Sequence, residues 1–419
     1  MGRRIQQCFI AALALTACGW AAFLVAGKPL TSVIARRWEA TLARAADGKF
    51  DNPATFIHGR MEEGLMLATV GLLLIAATFA LWRTLGNRSA WRPIRGLVAG
   101  VAVFLFLNVF AWSAGRTVLF WALFFDKNRI DNFAQYHIKR ILMEECHGKR
   151  RAILLGSSQT NRAIDEVLLN HEIGRTIWTT ELTQPGARGF DLLTLSRDIP
   201  LRRGDIVVCY LSEIMFHGSG SGIVAADFMN FSEVPDAIQL RGWSHFPEGA
   251  ARSGLLGRIL PLYRYRNSLS HRALGWDITH LEQRRFDQSL EADLEAQAKR
   301  RAPSLGLSVA SRFEEAAFAR MASELVEKGC TLVVISGDTH PALRRHMNPE
   351  VIAHQERFLT GLAALHPQGF VLLHGNDFFP ARDSDFTDLV HFNDDSQRRF
   401  TLGLSRYLTD LPAVEAISN

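Results

Sequence analysis

The chain has few cysteines and no long block of basic residues, and both absences exclude classes of protein. Its 419 residues include five cysteines, an odd number without a Cys-x-x-Cys pair, which excludes a disulfide scaffold and a zinc finger. The chain has 47 basic and 42 acidic residues, which gives a net charge of only +5. This balance does not indicate a nucleic-acid partner. We find no internal repeat.

Charged residues are also missing from three apolar runs in the first 125 residues. Each run approaches the roughly 20 residues that cross a hydrocarbon core, so we predict three transmembrane helices, over residues 8–27, 64–82 and 97–113. A channel or transporter is disfavoured, because the runs contain no ionisable residue. The aromatic-rich stretch 116–125 either extends the third helix or lies in the membrane interface, and Arg116 favours the interface.

The charges of the connecting loops predict the orientation of this membrane region, residues 1–125. The loop between the second and third runs has no acidic residue and carries Arg83, Arg88, Arg92 and Arg95. The positive-inside rule therefore makes this loop cytoplasmic, as it does the N-terminus with Arg3 and Arg4. Three crossings then leave residues 126–419 outside the cytoplasm, with the lipid bilayer as a partner of the N-terminal region.

A lipoprotein signal is the alternative for the first apolar run. Residues 15–18 (Leu-Thr-Ala-Cys) follow a short basic segment and resemble a cleavage box that would leave Cys18 as a lipidated N-terminus. The apolar run continues past this box through Trp20 and Phe23, which favours an uncleaved helix. Both interpretations leave the next loop outside.

From about residue 133, short apolar runs alternate with amphipathic stretches. The apolar runs predict five strands, over residues 152–155, 176–182, 205–211, 331–336 and 370–373. Helices are predicted over 165–170, from about 190, and over 312–327, 350–365 and 394–408. Short, fully apolar strands separated by helices indicate an α/β fold with a parallel sheet covered on both faces. The alternation fails between residues 215 and 311, an insertion of a size typical of substrate recognition or partner contacts.

Polar residues follow the ends of these predicted strands, where ligands bind in parallel sheets. Ser158 follows the first strand, Gly186 the second and Ser212 the third, while Asp388 and His391 precede the last helix. A hydroxyl nucleophile needs a base, a group that orients the base, and hydrogen-bond donors for the oxyanion. These positions offer all of them.

The order and placement of these residues resemble the SGNH (GDSL-type) hydrolase superfamily, over roughly residue 151 to the C-terminus. The resemblance implies a three-layer α/β/α sandwich with a mostly parallel sheet. It also implies that Ser158 is the nucleophile, His391 the base and Asp388 its orienting carboxylate. Gly186 and the backbone N–H of Ser158 match oxyanion donors. Ser212 stands where the family has an asparagine donor, and losing that amide costs about 3 kcal/mol of transition-state stabilisation.

A Gly-Ser-Ser motif behind N-terminal membrane helices further resembles the proteins that O-acylate cell-envelope polysaccharides, including those of alginate O-acetylation and teichoic-acid D-alanylation. The resemblance implies a multi-pass protein of the bacterial inner membrane whose periplasmic domain is a serine acyltransferase or esterase. Its substrate would be a polysaccharide or an acyl ester, and no metal or organic cofactor is expected. The missing asparagine keeps a second hypothesis open, an inactive scaffold subunit that assists a membrane-bound O-acyltransferase.

Further residues near the strand ends are candidates for other roles. Asn161 and Arg162 after the nucleophile motif, and His340 after the fourth strand, are possible substrate-binding residues, with helix capping or solvation as alternatives. Asp338 and His340 resemble the Asp-x-His ligand pair of metallophosphoesterases, but the expected partner motifs do not follow, so no metal site is predicted.

Overall fold

The structure is a computed structural model that describes residues 150–217 and 294–410, together with isolated positions elsewhere. The chain divides into two units, Met1–Ile141 with Leu256–Trp276, and Leu142–Leu255 with Asp277–Asn419. The three predicted membrane segments, apart from isolated positions, and the stretch 116–125 lie outside the described residues. Within the described part of the chain, every helix is too short or too polar to cross a bilayer.

Strands and helices alternate along the second unit. Its first half contains β1 (Arg150–Leu154), α1 (Ser158–Ala163), α2 (Glu166–Ile173), β2 (Ile177–Glu181), α3 (Gly189–Asp198) and β3 (Ile206–Ser212). Its second half contains α4 (Leu294–Arg301), α5 (Val309–Glu327), β4 (Thr331–Gly337), α6 (Pro341–His346), α7 (Pro349–Leu365), β5 (Phe370–His374) and α8 (Asp394–Asp410). Short 3₁₀ turns cover Ala302–Ser304, Gly375–Asp377 and Asp383–Asp385.

The five described strands form one parallel sheet in the order β2-β1-β3-β4-β5. This confirms the predicted α/β fold, and each of the five predicted strands is found within two residues of its predicted ends. The chain moves from β1 outward to β2, then returns to the other side of β1 to form β3. Such a reversal opens a crevice at the carboxyl ends of β1 and β3, which is where ligands bind in this type of sheet.

Helices cover both faces of the sheet. Ile206, Val208 and Tyr210 of β3 pack into one apolar cluster with residues of α2 and α8, including Leu169 and Leu404. The intervening residues of β3 point to the opposite face and are also buried, since β3 has no exposed position. Burial on both faces explains why these strands are continuously apolar in sequence instead of alternating with polar residues.

The thiols of Cys209 and Cys330, the two cysteines of the described ranges, are free and buried. Burial raises the pKa of Cys330 to about 11 and raises that of Cys209 further, because a thiolate is poorly solvated in an apolar core. Both therefore act as small apolar side chains, as their positions in or beside strands indicate.

A buried ion pair lies at the amino-terminal ends of the neighbouring strands β1 and β3. The Arg151 side chain is 1% exposed and pairs through two nitrogens with the Asp205 carboxylate. Its other hydrogen bonds go to the carbonyl oxygens of Met143 and Pro200, at 3.1 and 2.9 Å. Four hydrogen bonds to buried or backbone acceptors thus hold the guanidinium.

Replacing Arg151 by Met is expected to lower the free energy of unfolding by about 3–5 kcal/mol, because the Asp205 carboxylate would stay buried without its cation. Denaturant unfolding of the full chain measures the change. Arg357→Met is the matched control, since its partner Glu350 is 57% exposed and surface pairs contribute at most about 1 kcal/mol. Equal effects of the two substitutions would contradict this assignment.

Candidate active site

The turn after β1 presents a serine at the start of a helix. Gly156 leaves no room for a side chain, because a Cβ there would lie 1.8 Å from Thr160 Oγ1. The Ser157 hydroxyl caps α1 by accepting from the backbone N–H of Gln159 at 3.2 Å. Capping by Ser157 leaves the neighbouring hydroxyl of Ser158, which is partly exposed, available for other contacts.

A tight loop before α8 brings Asp388 and His391 together. The backbone N–H of Thr387 donates to the carbonyl of His391 at 2.9 Å, which closes the loop. Asp388 Oδ1 accepts from the backbone N–H groups of Val390 and His391, at 2.8 and 2.9 Å. The other oxygen of the carboxylate, Oδ2, lies 2.7 Å from His391 Nδ1. Backbone hydrogen bonds of the loop therefore hold the Asp388 carboxylate in place, and this carboxylate in turn orients the imidazole of His391.

The two elements meet at the crevice between β1 and β3. His391 Nε2 lies 2.9 Å from Ser158 Oγ, although the residues are 233 positions apart in sequence. The side chains of His391 and Asp388 are only 12% and 15% exposed, so little water competes for these hydrogen bonds. Ser158, His391 and Asp388 thus form a continuous hydrogen-bonded chain with the order and reach of a nucleophile, its base and an orienting group.

The charge state of Asp388 suits this arrangement. Burial by itself would raise the pKa of the carboxyl group, but the hydrogen bonds from the His391 ring and from two backbone N–H groups favour the ionised form. The net result is a pKa below the ordinary value of an aspartate. Asp388 is therefore a carboxylate at neutral pH and can only accept a hydrogen bond from the Nδ1–H group of His391, which leaves Nε2 as the acceptor facing Ser158.

The turn after β2 lies beside Ser158. The backbone N–H of Gln184 donates to the carbonyl of Gly156 at 2.9 Å, which joins this turn to the turn after β1. Gly186 has a φ of +75°, a conformation that disfavours any residue with a Cβ. Within the described residues, the backbone N–H groups of Gly186 and Ser158 have no hydrogen-bond partner. Both remain available to a ligand, as expected of oxyanion donors.

A cleft of about 330 Å³ opens above the three side chains. Its walls also contain residues that the sequence analysis did not single out, namely Gln159, Arg188, Ile214, Met215, His217 and Arg301. Burial lowers the pKa of His217 to about 4, so its ring is neutral at pH 7. Arg301 is close enough to interact electrostatically with Asp388 and Arg188. The two guanidinium groups give this side of the cleft a positive potential that attracts anionic groups.

Gln159, Arg188 and Ile214 had a signal in the sequence, because each lies within two residues of a predicted site residue. Met215, His217 and Arg301 belong to the two ends of the long insertion. Spacing along the chain does not reveal that these ends return to the same cleft.

The structure corrects the role expected of Ser212. Its side chain is completely buried at the end of β3 and does not line the cleft. The Ser212 hydroxyl donates to Gln159 Oε1 at 2.9 Å, so its single proton is already used. Ser212 is therefore not positioned as an oxyanion donor, and its position at the end of a neighbouring strand was a misleading signal.

The three possible substrate-binding residues also have other contacts, and none of them lines the cleft. The Asn161 amide donates to Glu181, and Arg162 lies 3.5 Å from the exposed carboxylate of Asp394. His340 is 4% exposed, and its Nδ1 accepts from the backbone N–H of Ala342 at 3.0 Å, which caps α6. These contacts favour the alternatives of polar surface contacts for Asn161 and Arg162 and of a helix cap for His340.

Asp338, which the sequence analysis paired with His340 as a possible metal ligand, forms an ion pair with Arg344. Its Oδ1 accepts from Arg344 Nη1 at 2.7 Å, and the same guanidinium lies 3.2 Å from Glu213. Glu213 in turn accepts from the backbone N–H of Thr339 at 2.8 Å. These contacts tie the loop after β4 to the end of β3.

The sequence was compared with protein-family models and with curated proteins. No protein-family model matches the sequence, and a search of curated proteins gives no match. Any functional conclusion for this chain therefore depends on its own residues and their geometry.

Proposed function

We propose that the protein is a membrane-anchored, extracytoplasmic SGNH-like serine acyltransferase or esterase. Its substrates would be O-acyl groups, with acetyl as the expected group, on a cell-envelope or secreted polysaccharide. The observation that carries the proposal is the hydrogen-bonded chain from Ser158 through His391 to Asp388, with distances of 2.9 and 2.7 Å. The membrane anchor, the inner-membrane localisation and the glycan substrate rest on the sequence arguments and on the family resemblance.

In this proposal, the Ser158 hydroxyl attacks an acyl carbonyl carbon while its proton passes to His391 Nε2. The ionised Asp388 stabilises the imidazolium that forms. The backbone N–H groups of Ser158 and Gly186 donate to the oxyanion of the tetrahedral intermediate. Its collapse breaks the ester C–O bond, and His391 returns the proton to the leaving oxygen. A sugar hydroxyl or water then attacks the acyl-serine by the same steps.

The competing hypothesis of an inactive scaffold subunit makes a different geometric prediction. A scaffold has no need of a hydrogen bond between His391 and Ser158, and its serine is free to be buried. The 2.9 Å separation, the partly exposed Ser158 and the adjoining cleft favour the enzyme.

Rapid acid quenching of the full chain during turnover of p-nitrophenyl acetate tests the proposal. Mass spectrometry is expected to find one acetyl group on the peptide that contains Ser158, because Oγ forms the covalent intermediate. With candidate glycans present, transfer would add acetyl mass to the sugar, and hydrolysis would release acetate. Turnover with the acetyl group on another residue instead of Ser158 would contradict the nucleophilic role of Ser158.

A further inference from the structure

The cleft contains an amide that none of the roles above uses. The side chain of Gln159, directly after Ser158, is 6% exposed and belongs to the cleft wall. Its Oε1 accepts the hydroxyl proton of Ser212 at 2.9 Å. Within the described part of the chain, its Nε2 has no hydrogen-bond partner, although nearly all of the surrounding side chain is buried.

An amide held in this way has a defined orientation. The Ser212 hydroxyl can donate only one hydrogen bond, and it donates this bond to Oε1 of Gln159. The amide nitrogen of Gln159, Nε2, is therefore the atom that remains available as a donor. Ser212 itself is held by Gln355, whose Nε2 donates to the Ser212 carbonyl at 2.9 Å. Two buried residues from β3 and α7 therefore support the side chain of Gln159 from behind. Preorganised donors of this kind stabilise developing charge more than mobile ones.

We infer that Gln159 Nε2 is the third oxyanion donor of this site, with Ser212 as the residue that orients it. This inference rests on the proposed function. As the bond between Ser158 Oγ and the acyl carbon forms, the π electron pair of the carbonyl becomes an oxyanion. Nε2 of Gln159 donates to this oxygen beside the N–H groups of Ser158 and Gly186. The amide missing from the end of β3 is thus supplied by the residue next to the nucleophile.

Gln159→Glu and Gln159→Met test the inference with p-nitrophenyl acetate as the probe. Glutamate keeps the shape and still accepts from Ser212, but it presents an acceptor to the oxyanion; methionine removes the polar group. Both are expected to lower kcat about 100-fold or more, because one oxyanion donor is worth about 10²–10³ in rate. KM should change less than about threefold, since the donor acts in the transition state.

Asn170→Leu is the matched control, because Asn170 is also 6% exposed and its amide bonds to the backbone of Thr179, away from the cleft. Its kcat should stay within about threefold of the unmodified protein. A boronic acid that adds to Ser158 gives a second readout, since its boronate oxygen occupies the oxyanion position. The inhibition constant should rise in parallel with the loss of kcat/KM across the Gln159 variants, which a general loss of stability would not produce.

The outcomes separate the inference from the proposed function. If Ser158→Ala is inactive but both Gln159 variants keep kcat and boronic acid affinity within about threefold, the oxyanion role of Gln159 is wrong and the proposed function stands. If the unmodified protein does not turn over the ester, or if Ser158→Ala is equally active, the proposed function fails and this inference fails with it. If Asn170→Leu loses as much activity as the Gln159 variants, a general effect on packing is the cause and the inference fails.

Discussion

Replacing Ser158 by Ala is expected to reduce kcat on p-nitrophenyl acetate by at least about 1,000-fold. In the proposed mechanism this hydroxyl forms the acyl intermediate, so its loss leaves only the weaker effects of binding and oxyanion donors. The bond to His391 is the one side-chain hydrogen bond of Ser158 in the described part of the structure. Stability should therefore change by less than about 0.5 kcal/mol.

Steady-state kinetics and thermal unfolding of the full chain measure both effects. Ser323→Ala is a matched control, because Ser323 lies on α5, outside the cleft, and its hydroxyl donates to the Ala319 carbonyl of its own helix. Its activity should equal that of the unmodified protein. A Ser158→Ala protein that keeps more than about a tenth of the activity would exclude Ser158 as the nucleophile.

Replacing Asp388 by Asn is expected to lower kcat by about 100- to 10,000-fold. Asp388 Oδ1 is held by two backbone N–H groups, so an asparagine would keep its oxygen there and turn its amide nitrogen toward His391 Nδ1. Two donors cannot face each other, and His391 would move its proton to Nε2. The ring nitrogen next to Ser158 would then be a donor and could not accept the proton of the hydroxyl.

Asp394→Asn is the control for this experiment, because Asp394 begins α8 close to the same loop but is 90% exposed. It should leave kcat unchanged within about twofold. Neutron diffraction or ¹⁵N NMR of the Asp388→Asn protein should find the His391 proton on Nε2. Full activity of Asp388→Asn, or a proton that stays on Nδ1, would mean that Asp388 does not orient the base.

The sequence predicted the sheet well because its signal is local. Strands buried on both faces must be apolar at every position, and runs such as residues 205–211 and 331–336 stand out for this reason. The start of α5 was predicted less well: the helix begins at Val309 after a cap at Ser308, three residues before the predicted start at residue 312. The order of the strands in the sheet is not local, and only the structure gives it.

The candidate site also contains features that are local in sequence and features that are not. Asp388 and His391 lie three positions apart, so their approach is a property of one loop and could be predicted from spacing. Ser212 was misjudged because position at a strand end does not reveal where a short side chain points. Its hydroxyl turns to Gln159, a contact between residues 53 positions apart.

The amino-acid order alone determined which segments are apolar enough for strands, which short motifs can hold a reactive hydroxyl or imidazole, and the absence of charge from the N-terminal runs. These properties follow from each segment by itself. Tertiary structure alone decided that Ser158 lies 2.9 Å from His391, that Gln159 and Arg301 share their cleft, and that Ser212 supports this cleft from behind. Such contacts depend on how distant elements pack, because side chains from different strands and helices meet only when the sheet has formed and its helices cover it.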